Sequence, residues 1–174
     1  MTGIYSHKLE SGDYLPWISH AQHTADRALA IVCSKQFDFP SYEREDILGA
    51  VHLCALFHDI GKGTKYFQIY LKTPHGQDLS QAFLSAGLLS NGRLKDHSLL
   101  SSLCAYAIAS DSFKDKPDKI KDELTMAIFL ACTSHHGSLK SQGWVSETLS
   151  DGFGDGGLDD IAEMYKSLDS QMFS

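Results

Sequence analysis

The run Phe57-His58-Asp59-Ile60-Gly61-Lys62 constrains this chain more than any other stretch. It closes an apolar, helix-like segment carrying Ile47, Leu48, Val51, Ala55 and Leu56. A histidine, a carboxylate and a lysine together make an unusual end for a buried helix. Adjacent His and Asp offer a neutral nitrogen and an anionic oxygen to a metal ion from neighbouring positions. Gly61 permits the left-handed residue that commonly closes a helix, and Lys62 places a cation beside the same point. Alone, the six residues also fit a capped helix with a surface lysine, so the other histidines decide.

There are nine histidines. His20, His58, His97 and the pair His135-His136 fall near expected helix ends or on apolar faces, about 38 residues apart, roughly one helix-turn-helix unit. Such spacing can bring ligands from four helices to a shared centre, as in bundle-core metal sites. Five imidazoles and a carboxylate exceed what one tetrahedral ion with an open position uses. Two ions bridged by Asp59 would absorb them. Each residue also has a plainer reading. His20 sits beside His23, and either could lie on the surface. His97 follows Asp96, a plausible N-cap, and His135-His136 could serve the helix dipole as imidazolium. Yet His135 continues the stripe of Leu124, Ile128 and Ala131, where an unpartnered imidazole is costly. His7, His52 and His75 read as solvent or core residues.

The rest of the chain supports a helical frame. Apolar periodicity predicts helices over 17–37, 42–58, 64–71, 79–89, from Asp96 past Ile108, from near Pro117 to His135, and over 158–173. Ser41 is the expected N-cap of the second, residues 1–16 read as loop, and Ser141 to Gly157 as a glycine- and aspartate-rich loop. Nothing alternates convincingly at period two, so the expected class is all-α in a single domain of 174 residues. Cys33, Cys54, Cys104 and Cys132 lie in apolar stretches without a CxxC pair, and read as buried reduced thiols of a cytoplasmic protein. No apolar run reaches membrane-spanning length, so no membrane partner is expected. The net charge of −7 gives no global basic footprint, so any nucleic-acid contact must be local or carried by bound cations or a partner. HExxH, GxxxxGK[ST] and Gly-x-Ser-x-Gly are absent, and the Asp151–Gly156 stretch fails as a calcium loop because Phe153 and Ala162 occupy ligand positions.

These motifs resemble the HD superfamily of metal-dependent phosphohydrolases, and more narrowly the HD nuclease domain of CRISPR type I interference systems. The residues that carry the likeness are His20-Ala-Gln-His-Thr24-Ala25, His58-Asp59-Ile-Gly61-Lys62 with Phe67-Gln68-Ile-Tyr70-Leu71, Asp96-His97-Ser98, and Ser134-His135-His136-Gly-Ser-Leu139. They span residues 16–140. The resemblance implies an HD-domain helical bundle with the metal site in its centre. It makes His20, His58 and Asp59 ligands of a first ion. Asp59 would bridge to a second ion held by His97, His135 and His136. Asp59 and Lys62 are the expected catalytic residues, and the ions two divalent transition metals: Mn, Fe, Co or Ni, with Mg or Zn less favoured. The family also supplies a late aspartate to the first ion. Asp169 is the candidate by placement, unless that ligand lies outside this sequence in a larger parent protein.

The implied activity is cleavage of single-stranded DNA, with a helicase domain or subunit and an RNA-guided surveillance complex as partners. The competing enzymatic reading is an HD-type nucleotide or cyclic-nucleotide phosphohydrolase, which predicts a closed pocket with base-specific contacts. A degenerate HD module used for assembly is disfavoured, because every central histidine and the bridging aspartate remain.

Overall fold

A computed structural model describes residues 3–36, 39–137 and 157–173. Among the described residues the fold is all-α apart from one antiparallel hairpin. Strands β1 (Tyr5–Lys8) and β2 (Tyr14–Pro16) pair with an irregularity between Tyr5 and His7. Residues 1–16 are therefore not simply a loop. The strands are too short to alternate visibly, and the buried position is Ser6, not an apolar residue.

The helices follow in order: α1 (Trp17–Cys33), α2 (Arg44–Phe57), α3 (Lys65–Lys72), α4 (Leu79–Ser85), α5 (Ser98–Ser112), α6 (Asp118–Ser134) and α7 (Gly157–Lys166). Most boundaries fall close to those the periodicity predicts. The N-cap position of α2 is Glu43, not Ser41, and its side chain makes no capping hydrogen bond. α4 ends earlier than expected, because Gly87 (φ +72°) takes a left-handed conformation and turns the chain. The last expected helix stops at Lys166. There Lys65 N–H donates to the Ser167 carbonyl, Asp169 N–H donates to the Gly63 carbonyl, and Leu168 pairs with Thr64. These cross-chain bonds replace helical ones, and a short 3-10 turn, Ser170–Phe173, follows. The loop expected at Ser141–Gly157 lies outside the described residues, save Gly157 at the start of α7.

Two apolar clusters hold the bundle. One joins Trp17, Ala21, Ile60, Tyr66, Phe83, Leu94, Leu100 and Met164, and the other joins Ala50, Ala105, Ala109, Phe113, Leu124 and Ile128. Burying each large side chain contributes about 1.5–3 kcal/mol. Phe57 packs against both clusters, so the His58-Asp59 pair emerges at their seam. Cys104 and Cys132 are buried and Cys54 half-buried, but Cys33 is exposed, contrary to expectation. The buried residues of α1 are Trp17, Ala21 and Ala25, and Cys33 lies on its exposed last turn. Among the described residues, no helix is long and apolar enough to cross a membrane.

Candidate metal centre

The site begins where α2 tightens into the 3-10 turn Ile60–Gly63. Trp17 donates its indole N–H to the Asp59 carbonyl at 3.1 Å. Gly61 donates its amide to Ser101 Oγ at 2.9 Å. Gly61 is not left-handed as expected; among the described residues the positive-φ glycines are Gly12, Gly76 and Gly87. Its role is close approach: a Cβ there would meet the His97 carbonyl oxygen at 2.5 Å. The turn is thereby pressed against the start of α5.

Asp59, 2% exposed, is the hub. Its Oδ2 lies 3.1 Å from His20 Nε2, 3.2 Å from His58 Nε2 and 2.8 Å from Lys62 Nζ. Its Oδ1 lies 3.0 Å from both His97 Nε2 and His135 Nε2. His136 Nε2 stands 3.0 Å from His97 Nε2. The ligand atoms form two groups, His20–His58–Asp59 and Asp59–His97–His135–His136, each with its atoms within 4.8 Å of one another. All six residues singled out in the sequence are thus brought together, and Lys62 with them. His23 is exposed and takes no part. Asp169 belongs to neither group; its amide is engaged at Gly63.

The imidazoles are oriented from behind. His58 Nδ1 lies 2.8 Å from the Ala55 carbonyl and His135 Nδ1 2.5 Å from the Cys132 carbonyl. Each Nδ1–H donates there, which turns Nε2 toward Asp59. A neutral imidazole so fixed aims a lone pair at carboxylate lone pairs, an arrangement that requires a cation between them. A proton on Nε2 supplies one, and a divalent ion supplies more. The donor set therefore fits a metal.

Electrostatics agree. Burial pushes the Asp59 carboxyl up, but hydrogen bonds from His135, His58 and His97 outweigh it and hold the group well below the usual carboxylate range. Burial also lowers His20, His97 and His136. For His58 burial acts downward too, yet the hydrogen bond and charge of Asp59 overcome it and raise the pKa.

Several supports escaped the sequence reading. Gln68 donates Nε2–H to the carbonyls of Lys62 and Tyr5, at 2.8 and 2.7 Å, tying the hairpin to the metal turn. His7, read as a bystander, stands edge-on to His20 with ring centroids 5.5 Å apart. The Cys54 and Cys132 thiols lie 3.8 Å apart between α2 and α6. Only Gln68 had a sequence signal, its place in the FQxYL run.

The family model described as "Cas3, HD domain" matches residues 6–163. The chain belongs to the Cas3 HD-domain family. No match was found among curated proteins or among solved structures. Membership makes this Cas3 HD domain a CRISPR-associated HD nuclease domain of the metal-dependent hydrolase class, and its central His/Asp cluster is one that could hold metal.

Proposed function

We propose that the chain cleaves phosphodiester bonds of single-stranded DNA using two divalent ions. It would act in the cytoplasm as the nuclease part of a larger interference machinery, its strand delivered by a helicase and an RNA-guided surveillance complex. The observation that carries this reading is the sharing of Asp59: each carboxylate oxygen faces its own set of imidazole nitrogens. His20, His58 and Asp59 Oδ2 would hold a first ion, and Asp59 Oδ1, His97, His135 and His136 a second. Bound there, the ions supply a water deprotonated near neutral pH and neutralise charge on the phosphate. The nitrogen-rich set suits Mn, Fe, Co or Ni better than Mg, which prefers oxygen.

The chain's own residues do the rest. The Ala55 and Cys132 carbonyls fix which imidazole nitrogen faces inward. Lys62 holds its ammonium against Asp59, where it can meet the negative charge that builds on the phosphate oxygens.

A digestion assay tests the reading, with single-stranded DNA, RNA and deoxynucleoside triphosphates offered in Mn, Co, Ni, Mg or EDTA beside His58→Ala and Asp59→Ala. Strand cleavage in the transition metals, lost in both variants, is expected. Turnover of nucleotides without strand cleavage would replace this reading with the nucleotide phosphohydrolase.

A further inference from the structure

An acidic nuclease domain needs a local place to hold a polyanion. One hollow, of about 460 Å³, lies where the segment after Gly63 meets the end of α7. Its charged lining is Lys65, Lys72, Lys166 and one carboxylate, Asp169. In a chain of net charge −7, that is a local excess of cations. Lys114, Lys116 and Lys121 are spent on neighbouring aspartates, but among the described residues Lys65 and Lys166 form no ion pair. The floor is rigid, because Lys65 and Asp169 amides bond across it to Ser167 and Gly63.

The cationic hollow continues to two half-buried tyrosines of the hairpin. The Lys72 ammonium lies 5.1 Å from the Tyr5 ring centroid, Tyr5 packs on Tyr14 at 5.3 Å, and Lys8 reaches the Tyr14 ring at 6.0 Å. Lysines interleaved with tyrosines match how single strands are held without regard to sequence, phosphates on the cations and bases on the rings. This strip is registered to the metal centre. Gln68, in the wall of the hollow, bonds Tyr5 and Lys62 at once, and Lys62 contacts Asp59. On the same strand His7 borders His20.

We propose that the hollow of Lys65, Lys72 and Lys166, continued by Tyr5, Tyr14 and Lys8, seats a single strand of nucleic acid on its way to the metal centre. This rests on the nuclease reading and names where its substrate is gripped. An acidic protein segment would also satisfy the lysines, but it gives the tyrosine rings nothing flat to stack on.

The test is fluorescence anisotropy of a labelled oligothymidylate, in EDTA and over a series of salt concentrations, so that bound ions play no part. The K65A/K72A/K166A variant should bind at least about tenfold more weakly. The slope of log affinity against log salt should flatten by about two, since each lost phosphate contact on a single strand is worth roughly 0.7. Tyr5→Leu should weaken binding with the slope unchanged. Circular dichroism and manganese uptake equal to wild type establish that the triple variant is folded; if it is not, the corresponding Lys→Gln variants carry the same expectation. Wild-type affinity and slope in the triple variant would overturn the proposal, as would no binding by wild type. Displacement of the strand by polyaspartate as readily as by unlabelled oligothymidylate would also overturn it. Binding through the hollow with no cleavage in any ion would sink the nuclease reading and leave this one. Cleavage with an irrelevant hollow would do the reverse.

Discussion

The two oxygens of Asp59 keep unequal company. Oδ2 faces two imidazoles and the ammonium of Lys62, whereas Oδ1 faces two imidazoles with a third, His136, close behind. The chain places a cation on the first side where it places a neutral donor on the second. A fixed ammonium repels a divalent ion, and a missing donor weakens its hold. The second side should therefore bind its ion more tightly, and the first should exchange more readily. His97, 8% exposed, adds to this, since a drier donor feels less competition from water.

The sharpest way to break the comparison is to remove what both sides share. Asp59→Asn keeps shape and loses charge, so both ions should be lost. The effect should exceed the roughly 10–100-fold that follows loss of a mere outer-shell partner. Elemental analysis after dialysis, together with strand cleavage, measures it; one ion retained at wild-type affinity would show that Asp59 does not bridge. Next come the single-sided losses. His97→Ala should release the second ion and His20→Ala the first. His97→Ala should cost more, because His97 contacts both Asp59 and His136.

Most of this cluster was legible because imidazoles and a carboxylate stand near helix ends or on apolar faces about 38 residues apart, where unpartnered polar groups are costly. His20, His58, His97 and His135 could be paired across the chain without knowing a single contact. What was hidden depended on backbone placement. Gly61 reads as a helix stop in sequence, yet its use is to let the His97 carbonyl approach, a fact of two helices meeting. The hairpin was invisible because it pairs so few residues and buries a serine. The end of α7 was misjudged because amphipathic periodicity runs on past Lys166, while the backbone leaves the helix to bond Gly63 and Lys65.

Lys62→Met sharpens the asymmetry from the first side. Without the ammonium, affinity for the first ion should rise or hold, while strand cleavage falls about a hundredfold if the cation stabilises developing charge. Unchanged cleavage with tighter metal would reduce Lys62 to a counter-ion for Asp59.

Acidity should separate the two sides in order. Protons compete with metal for the same Nε2 lone pairs. His58 has its pKa raised above the ordinary 6.5, and His97 and His136 have theirs lowered. As pH falls, His58 protonates first, so the first ion should leave at a higher pH than the second; chelator competition across pH 5–8 reads this. In the metal-free protein the signs divide. The raised His58 contributes stability that is fully present below 6.5 and lost as pH rises through its folded value. The lowered His20, His97 and His136 work oppositely, disfavouring the fold as pH drops below 6.5. Asp59, held far below 3.8, gives its full contribution above 3.8 and loses it progressively as pH falls from there toward its depressed folded value. Below 6.5 the His58 contribution is constant and the three lowered imidazoles alone set the slope, so the urea midpoint should decline as pH drops.

The smallest effect should touch neither side. Thr64, fully buried, caps α3 by accepting a hydrogen bond from the Phe67 amide at 3.1 Å. Thr64→Ala should cost about 1 kcal/mol, the usual worth of such a cap, and lower Tm by roughly 2–4 °C for a chain of this length. Two-ion uptake should persist, because the Asp59 carboxylate is positioned by the preceding turn, which is held by Trp17 and Ser101. If uptake of the first ion alone declined, the start of α3 would have to position Lys62 as well as α3 itself. The inequality between the oxygens would then originate in the packing of the turn against α3, with the ligands at hand only its expression.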